Sequence, residues 1–241
     1  MFDILFAYIF SIYGNEYGCK MIKKIDILGI QLDNYTVREA IMRVEAWYDN
    51  NMLNVIEMVS MQMLTESESD PVLKEVISSL DLAVIGEKGI LQAAGVDTMQ
   101  RIRETEENDF SDEFLKRVER NRKSVFIIGK TQGAVDEFTQ ELREEYPKLV
   151  LAGAAATENC VGDLEGVINE MNAATPDVII SIIPSPGQEH FLVEHRDKIN
   201  ANLWYGIGGF EVHRKRSRIK GFFWNLIHRV RLKNSIEKYE S

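Results

Sequence analysis

The chain has 241 residues, 45% of them hydrophobic and 27% charged, enough for a full core in one large domain or in one domain with an appendage. Its formal charge of −10 argues against general nucleic-acid binding. That charge is unevenly placed: residues 201–241 hold nine Lys or Arg against three Glu, a surplus of +6, whereas the first 200 hold 19 against 35 and carry −16. An acidic body with a basic tail suits an anionic partner for the tail, such as a membrane surface or a phosphate-bearing molecule.

The two cysteines, Cys19 and Cys160, lie in no CxxC or metal-ligand spacing, so a disulfide framework is not expected and a reducing cytoplasm is. The four histidines are scattered, and His190 and His195, five apart, point to different faces of a helix. No metal centre is expected from them.

Residues 1–19 are apolar and aromatic but carry Asp3 instead of a basic start, lack a small-residue cleavage site, and are too interrupted to span a bilayer. They read as an extension ahead of a second start at Met21, or as a short membrane-touching segment. Residues 25–30 predict a first strand. Thr36 then caps a helix whose apolar residues recur at 37, 40, 41, 44, 47 and 48. Residues 53–59 predict a buried strand ending in Ser60 and Gln62, and residues 71–80 a helix. The strand at 81–85 ends in Glu87. In a parallel arrangement Ser60, Gln62 and Glu87 fall at one edge of the sheet.

Residues 95–109 are less regular, and the acidic run 104–109 reads as a solvated surface turn. A helix over 110–122 and a strand over 124–128 follow. Gly129-Lys-Thr-Gln-Gly133 then opens a helix over 134–146. A turn of this kind offers backbone N–H groups to a phosphate, although it matches neither GxGxxG nor a P-loop, and strand-to-helix turns need glycine for geometry alone. A strand at 149–153 and a helix at 163–172 lead to residues 178–183, a nearly all β-branched run of the kind buried on both faces. Pro184 and Pro186 end it, and Gln188-Glu189 open the next helix; a polar pair just beyond such a strand is a site candidate in an open α/β sheet, while spacing alone favours ordinary first-turn residues, Glu being stabilised there by the helix dipole. A last strand covers 202–207. At least seven strands alternating with helices predict an α/β fold, a mostly parallel, Rossmann-like sheet flanked by helices.

The tail from 211 to 241 differs. It begins with the cluster Arg214, Lys215, Arg216 and Arg218, then mixes Phe222, Phe223 and Trp224 with Arg229 and Arg231. This composition suits a basic helical appendage lying on an anionic membrane, or one docked on the body through the stripe 223, 226, 227 and 230.

From residue 22 to about 238 the order of features resembles the WecG/TagA/CpsF family of bacterial glycosyltransferases. The matching pieces are Lys24-Ile-Asp-Ile-Leu-Gly-Ile with Thr36-x-x-Glu-Ala, Phe126-Ile-Ile-Gly129 with Gly133-Ala-Val-Asp-Glu, and Leu142-Arg-x-x-Tyr-Pro147. The most specific run is Pro176-Asp177 through Pro186-x-Gln-Glu189, followed by Glu194-x-Arg-Asp197 and Gly206-Ile-Gly-Gly-Phe210. The resemblance implies a single body over 21–210. It also implies metal-independent, inverting transfer of an N-acetylmannosamine-like sugar from a UDP donor to an undecaprenyl-diphosphate-linked acceptor, in cell-envelope polysaccharide or teichoic acid synthesis. No cofactor is implied. The place of work would be the inner face of the bacterial cell membrane, with the protein attached peripherally, as a monomer or a homo-oligomer.

The family's catalytic aspartate falls on Glu87, followed by Lys88 in place of a glycine. Its Thr-x-Asn falls on Ser60 and Gln62, and its Gly-x-Asp on Glu107-Asn-Asp109. Its Gln-Glu falls on Gln188 and Glu189, which the resemblance makes part of the nucleotide-sugar site together with Gly129, Thr131, Gly133 and Asp109. The tail arginines Arg214, Arg216, Arg218, Arg229 and Arg231 are then expected at the lipid diphosphate. With several site positions substituted, a second reading is a catalytically degenerate member that binds nucleotide sugar or acts as a membrane-associated scaffold.

Overall fold

The computed structural model describes residues 23–50, 52–160 and 164–208. The extension 1–20, the appendage 211–241 and its five arginines lie outside the described residues.

Residues 25–30 do not form one strand of the main sheet, as the apolar run had suggested. They belong to an antiparallel hairpin, β1 (Lys24–Ile27) and β2 (Ile30–Asp33). The chain reverses at Leu28 and Gly29, both in the left-handed region at φ 53° and 78°. This pair of positive angles is what a two-residue hairpin turn with the native strand twist requires.

The body alternates strand and helix. Helix α1 (Val37–Trp47) starts at a capping box in which the Thr36 side chain and Glu39 bond each other's backbone N–H groups. β3 (Asn54–Val59) is followed by α2 (Met61–Glu66) and α3 (Pro71–Ser79), then β4 (Leu82–Ile85), α4 (Lys88–Ala93), α5 (Met99–Glu106) and α6 (Asp109–Arg120). The second half contains β5 (Ser124–Gly129), α7 (Gln132–Glu145), β6 (Val150–Ala156), α8 (Glu165–Ala173), β7 (Val178–Ser181), α9 (Gly187–His195) and β8 (Leu203–Gly206).

Six strands form one sheet in the order β4-β3-β8-β7-β5-β6, and every neighbouring pair is parallel. Helices cover both faces, so β3, β7 and β8 are buried at every position. On one face Ile56, Tyr205 and Ile180 pack against α1, α6 and α7; on the other Val55, Trp204 and Ile179 pack against α8 and α9. The hairpin seals a third cluster around β4 through Ile30 and Leu32. Asp177 ties the start of β7 to β5, since its carboxylate accepts from the Ser124 backbone at 2.7 Å and from the Ser124 hydroxyl at 2.9 Å. Burial pushes this carboxyl up, but the Ser124 and Lys123 donors outweigh it and hold Asp177 below its ordinary range. Among the described residues no helix is long and apolar enough to cross a membrane.

The acidic run 104–109 is not a solvated turn. Its first half closes α5, and Glu104 is buried, accepting from Arg101 Nη1 at 2.8 Å and from the Val37 backbone at 3.3 Å. Arg101 Nε in turn donates to Asn34 Oδ1 at 3.2 Å. A buried pair with these extra bonds is satisfied on both sides, and it pins α5 to the entrance of α1.

Candidate active site

All six parallel strands end at the same edge, where the crevice of an open α/β sheet lies. Between the ends of β4, β3, β8 and β7 is a cleft of ≈ 310 Å³, lined by Ser60, Gln62, Glu66, Glu87, Pro184, Ser185 and Gly208 with Met63 and Ile207. That volume is at the lower end of the range for small-molecule sites.

Three predicted residues meet here. Ser60 caps α2 and accepts from Met63 N at 3.0 Å. Glu87, at the end of β4, is half-buried, and its Oε1 accepts from Met61 N at 3.2 Å. Its second oxygen makes no hydrogen bond among the described residues. Gln62 is exposed, with its amide donating to Glu66 Oε1 at 2.8 Å one helical turn on. Lys88 does not fill the cleft: its ammonium pairs with Glu106 at 2.5 Å, on the exposed side of α4 and α5.

Pro184 and Ser185 form the opposite wall, joined to Pro186 by a cis peptide bond. Gly208 faces them, its would-be Cβ about 4.0 Å from Ile183 O and Ser185 N and its φ of +62° in the left-handed region. Behind this wall Gln188 and Glu189 begin α9, both fully buried. Both occupy the first turn, as the spacing suggests, but they are turned into the core and not toward solvent. Gln188 Nε2 donates to Glu189 Oε1 at 3.3 Å.

Beside them, and unforeseen, is Glu57 of β3, also fully buried. A glutamate inside an otherwise apolar run, Val55 to Val59, was the available signal. Burial drives its carboxyl well above the ordinary range, and the neighbouring Glu189 adds to that. Burial likewise raises Glu189, eased by its own backbone N–H, the Ser185 hydroxyl, Gln188 and His190. For acids raised in the folded state, the associated stability is complete below the unfolded carboxyl pKa of about 4.3 and is lost as pH rises through the folded value. Glu57→Gln is therefore expected to melt progressively higher than the parent chain as pH rises above about 4.3. Thermal unfolding across a pH series checks this, and a constant gap between the two chains refutes it.

Gly206 makes room for the cluster. A Cβ there would stand 2.7 Å from Gln188 Nε2, 2.8 Å from its Oε1 and 2.9 Å from Glu57 Cγ. Gly206→Ala is expected to cost about 1–3 kcal/mol by overpacking, read as a lower denaturation midpoint at unchanged slope.

The 129–133 turn follows β5, the strand beyond β7, and does not line the cleft. Gly129 is buried against Val135 and Ile182, and Thr131 caps α7. The Gln132 N–H, one of those expected to meet a phosphate, donates to Glu158 Oε1 at 2.6 Å. Asp109 starts α6 and also lies outside the cleft lining, behind Asn108 in the left-handed region at φ 52°. Sequence reasoning passed over two polar side chains of the cleft, Glu66 and Ser185. The i,i+4 spacing from Gln62 marks Glu66, and adjacency to both prolines marks Ser185.

A parallel sheet with a polar, carboxylate-bearing cleft at its carboxyl edge is the frame of an α/β enzyme that works on a small polar substrate. Residues 25–213 match the model of the glycosyl transferase WecG/TagA/CpsF family, and the chain belongs to that family of glycosyltransferases. It is similar to the N-acetylglucosaminyldiphosphoundecaprenol N-acetyl-beta-D-mannosaminyltransferase of Staphylococcus aureus strain NCTC 8325, 23% identical over 191 residues that cover 77% of this chain and 73% of that protein. The protein of the same name from strain MRSA252 is 22% identical over the same coverage.

Proposed function

We propose that the protein transfers a sugar of the N-acetylmannosamine type from a UDP donor to an acceptor sugar carried on undecaprenyl diphosphate, with inversion and without a metal ion, during cell-envelope polysaccharide or teichoic acid synthesis. The observation that carries this reading is the meeting of Glu87, Ser60 and Gln62 in one cleft whose far wall leads into the buried Gln188-Glu189 pair. The names of the Staphylococcus aureus relatives supply the acceptor and the transferred sugar.

In this reading Glu87 is the general base. Inversion requires the acceptor hydroxyl to lose its proton as it attacks the anomeric carbon from the face opposite UDP, and a carboxylate with one free oxygen at the cleft can take that proton. Ser60 and Gln62 orient the sugars by hydrogen bonds. Gln188 and Glu189 shape the donor-sugar pocket from behind the Pro184–Ser185 wall. The departing UDP gathers negative charge and needs N–H donors or cations. We assign that work to Arg214, Arg216, Arg218, Arg229 and Arg231, which also hold the chain to the inner face of the membrane. Asp109 lies beyond the cleft and is assigned a supporting place at the nucleotide end.

The test is UDP release from UDP-N-acetylmannosamine in the presence of vesicles carrying undecaprenyl-diphosphate-linked N-acetylglucosamine. Release that depends on both substrates supports the reading. If calorimetry finds no binding of UDP or UDP-sugar at millimolar concentration, the reading is wrong and the membrane-associated scaffold role replaces it; binding without release points to the degenerate nucleotide-sugar-binding role.

A further inference from the structure

The strand register aligns Ala83, Glu57, Gly206 and Ser181 in one row across β4, β3, β8 and β7. Three of these are small, and α9 settles over the space they leave. Glu57 Cγ and the Gln188 amide both come within 3 Å of the position a Gly206 Cβ would take, so the two side chains are neighbours across it. The hydrogen-bond inventory of the spot is lopsided. Gln188 Nε2 donates to Glu189 Oε1. Both Glu57 oxygens, Gln188 Oε1 and Glu189 Oε2 are buried acceptors with no partner among the described residues. The Ser185 hydroxyl lies near enough to ease the Glu189 carboxyl without completing a hydrogen bond, and it offers one proton against four acceptors.

A buried carboxylate without a donor, next to a second carboxyl, is the least favourable way to arrange these atoms. Keeping one proton converts Glu57 from an acceptor into a donor and relieves the arrangement. We propose that Glu57 is a positioning residue of the transfer site, a carboxylic acid that retains its proton and donates it to Gln188 Oε1, fixing the Gln188 amide with its NH₂ toward Glu189. The result is an oriented chain from Glu57 O–H to the Gln188 carbonyl, and from the Gln188 NH₂ to the Glu189 carboxylate, in which each bond polarises the next. Burial and the Glu189 charge favour the proton on Glu57. The other charged groups nearby are His190, which acts on Glu189 and is itself bonded to Asp70 at the start of α3, and His195 further along α9. Across the cleft the facing carboxylates are Glu87 and Glu66. The link to catalysis rests on the transferase reading; the proton does not.

Infrared spectroscopy of the full chain in D₂O at neutral pH reads the proton directly. An un-ionised carboxyl C=O band in the parent chain that is lost in Glu57→Gln and kept in Glu87→Gln supports the proposal. Absence of the band, its survival in Glu57→Gln, or its loss on adding Mg²⁺ overturns it. The kinetic arm compares Glu57→Leu, which has no donor, with Glu57→Gln, whose amide supplies one. We expect kcat to fall about tenfold in the leucine variant and to be largely rescued in the glutamine variant, with KM for the acceptor unmoved in both. Glu57→Leu turning over at the parent rate overturns the positioning role. A parent chain that shows the band but releases no UDP refutes the transferase reading, and the catalytic half of the proposal with it, while the protonated Glu57 stands.

Discussion

Glu87→Gln is expected to lower kcat by about 10²–10⁴-fold in the UDP-release assay, the range over which a positioned general base contributes. The substitution suits the geometry. Glutamine has the same shape, and its carbonyl oxygen can still accept from the Met61 backbone as Glu87 Oε1 does at 3.2 Å. Helix α2 therefore keeps its start, and the melting temperature should not move. The amide cannot take a proton from the acceptor hydroxyl, so chemistry slows while calorimetric affinity for UDP-sugar is preserved. If Glu87→Gln turns over at the parent rate, the base is elsewhere, and Glu66 is the other carboxylate lining the cleft to examine.

The second large effect concerns stability. Phe114 of α6 is fully buried, with its ring centroid 4.8 Å from that of Tyr205 on the central strand and 6.0 Å from that of Phe110. Phe114→Ala removes a ring from the joint between α6 and the sheet and leaves a cavity that the surrounding strands cannot collapse. The expected loss is about 3–5 kcal/mol, a large part of the roughly 5–15 kcal/mol that holds a domain of ordinary stability together. Urea denaturation measures it, and a loss below about 1 kcal/mol would mean that the cavity refills.

Much of the sheet was legible because strands buried on both faces announce themselves: residues 178–183 and 53–59 are apolar runs stopped by turn residues, and both became central strands. The hairpin was misread for the same reason. Its apolar residues continue across the turn, and Leu28, a residue with no turn preference, occupies the first left-handed position. Helix α5 was hidden by its charges, since Met99–Glu106 has no apolar stripe, and it is held by the Arg101–Glu104 pair and the contacts of α4 and α6.

In the candidate site, Ser60 and Glu87 could be placed at one edge because strand ends in a parallel sheet share a side. The phosphate-binding expectation for the 129–133 turn could not be judged from sequence. Glu158, which occupies the Gln132 N–H, is 26 residues away along the chain. The burial of Gln188 and Glu189 was likewise invisible, because it depends on the missing side chain at Gly206, brought over them from a different strand.

The position of β8 in the sheet has a consequence for how the protein comes off the ribosome. The last strand in the described chain, Leu203–Gly206, lies between β3 and β7, and no ladder joins the β4-β3 pair to the β7-β5-β6 trio without it. A nascent chain that has emerged as far as residue 202 holds two half-sheets with no hydrogen-bonded seam, and the residues facing each other across the cleft belong to opposite halves. Pairings of such long sequence separation form late, because the intervening loop must close first. The binding cleft is thus expected to be assembled in the final folding step. A chain ending at 202 should bind no UDP-sugar and should unfold without a single cooperative transition, and adding back the residues through Gly208 should restore the cooperativity.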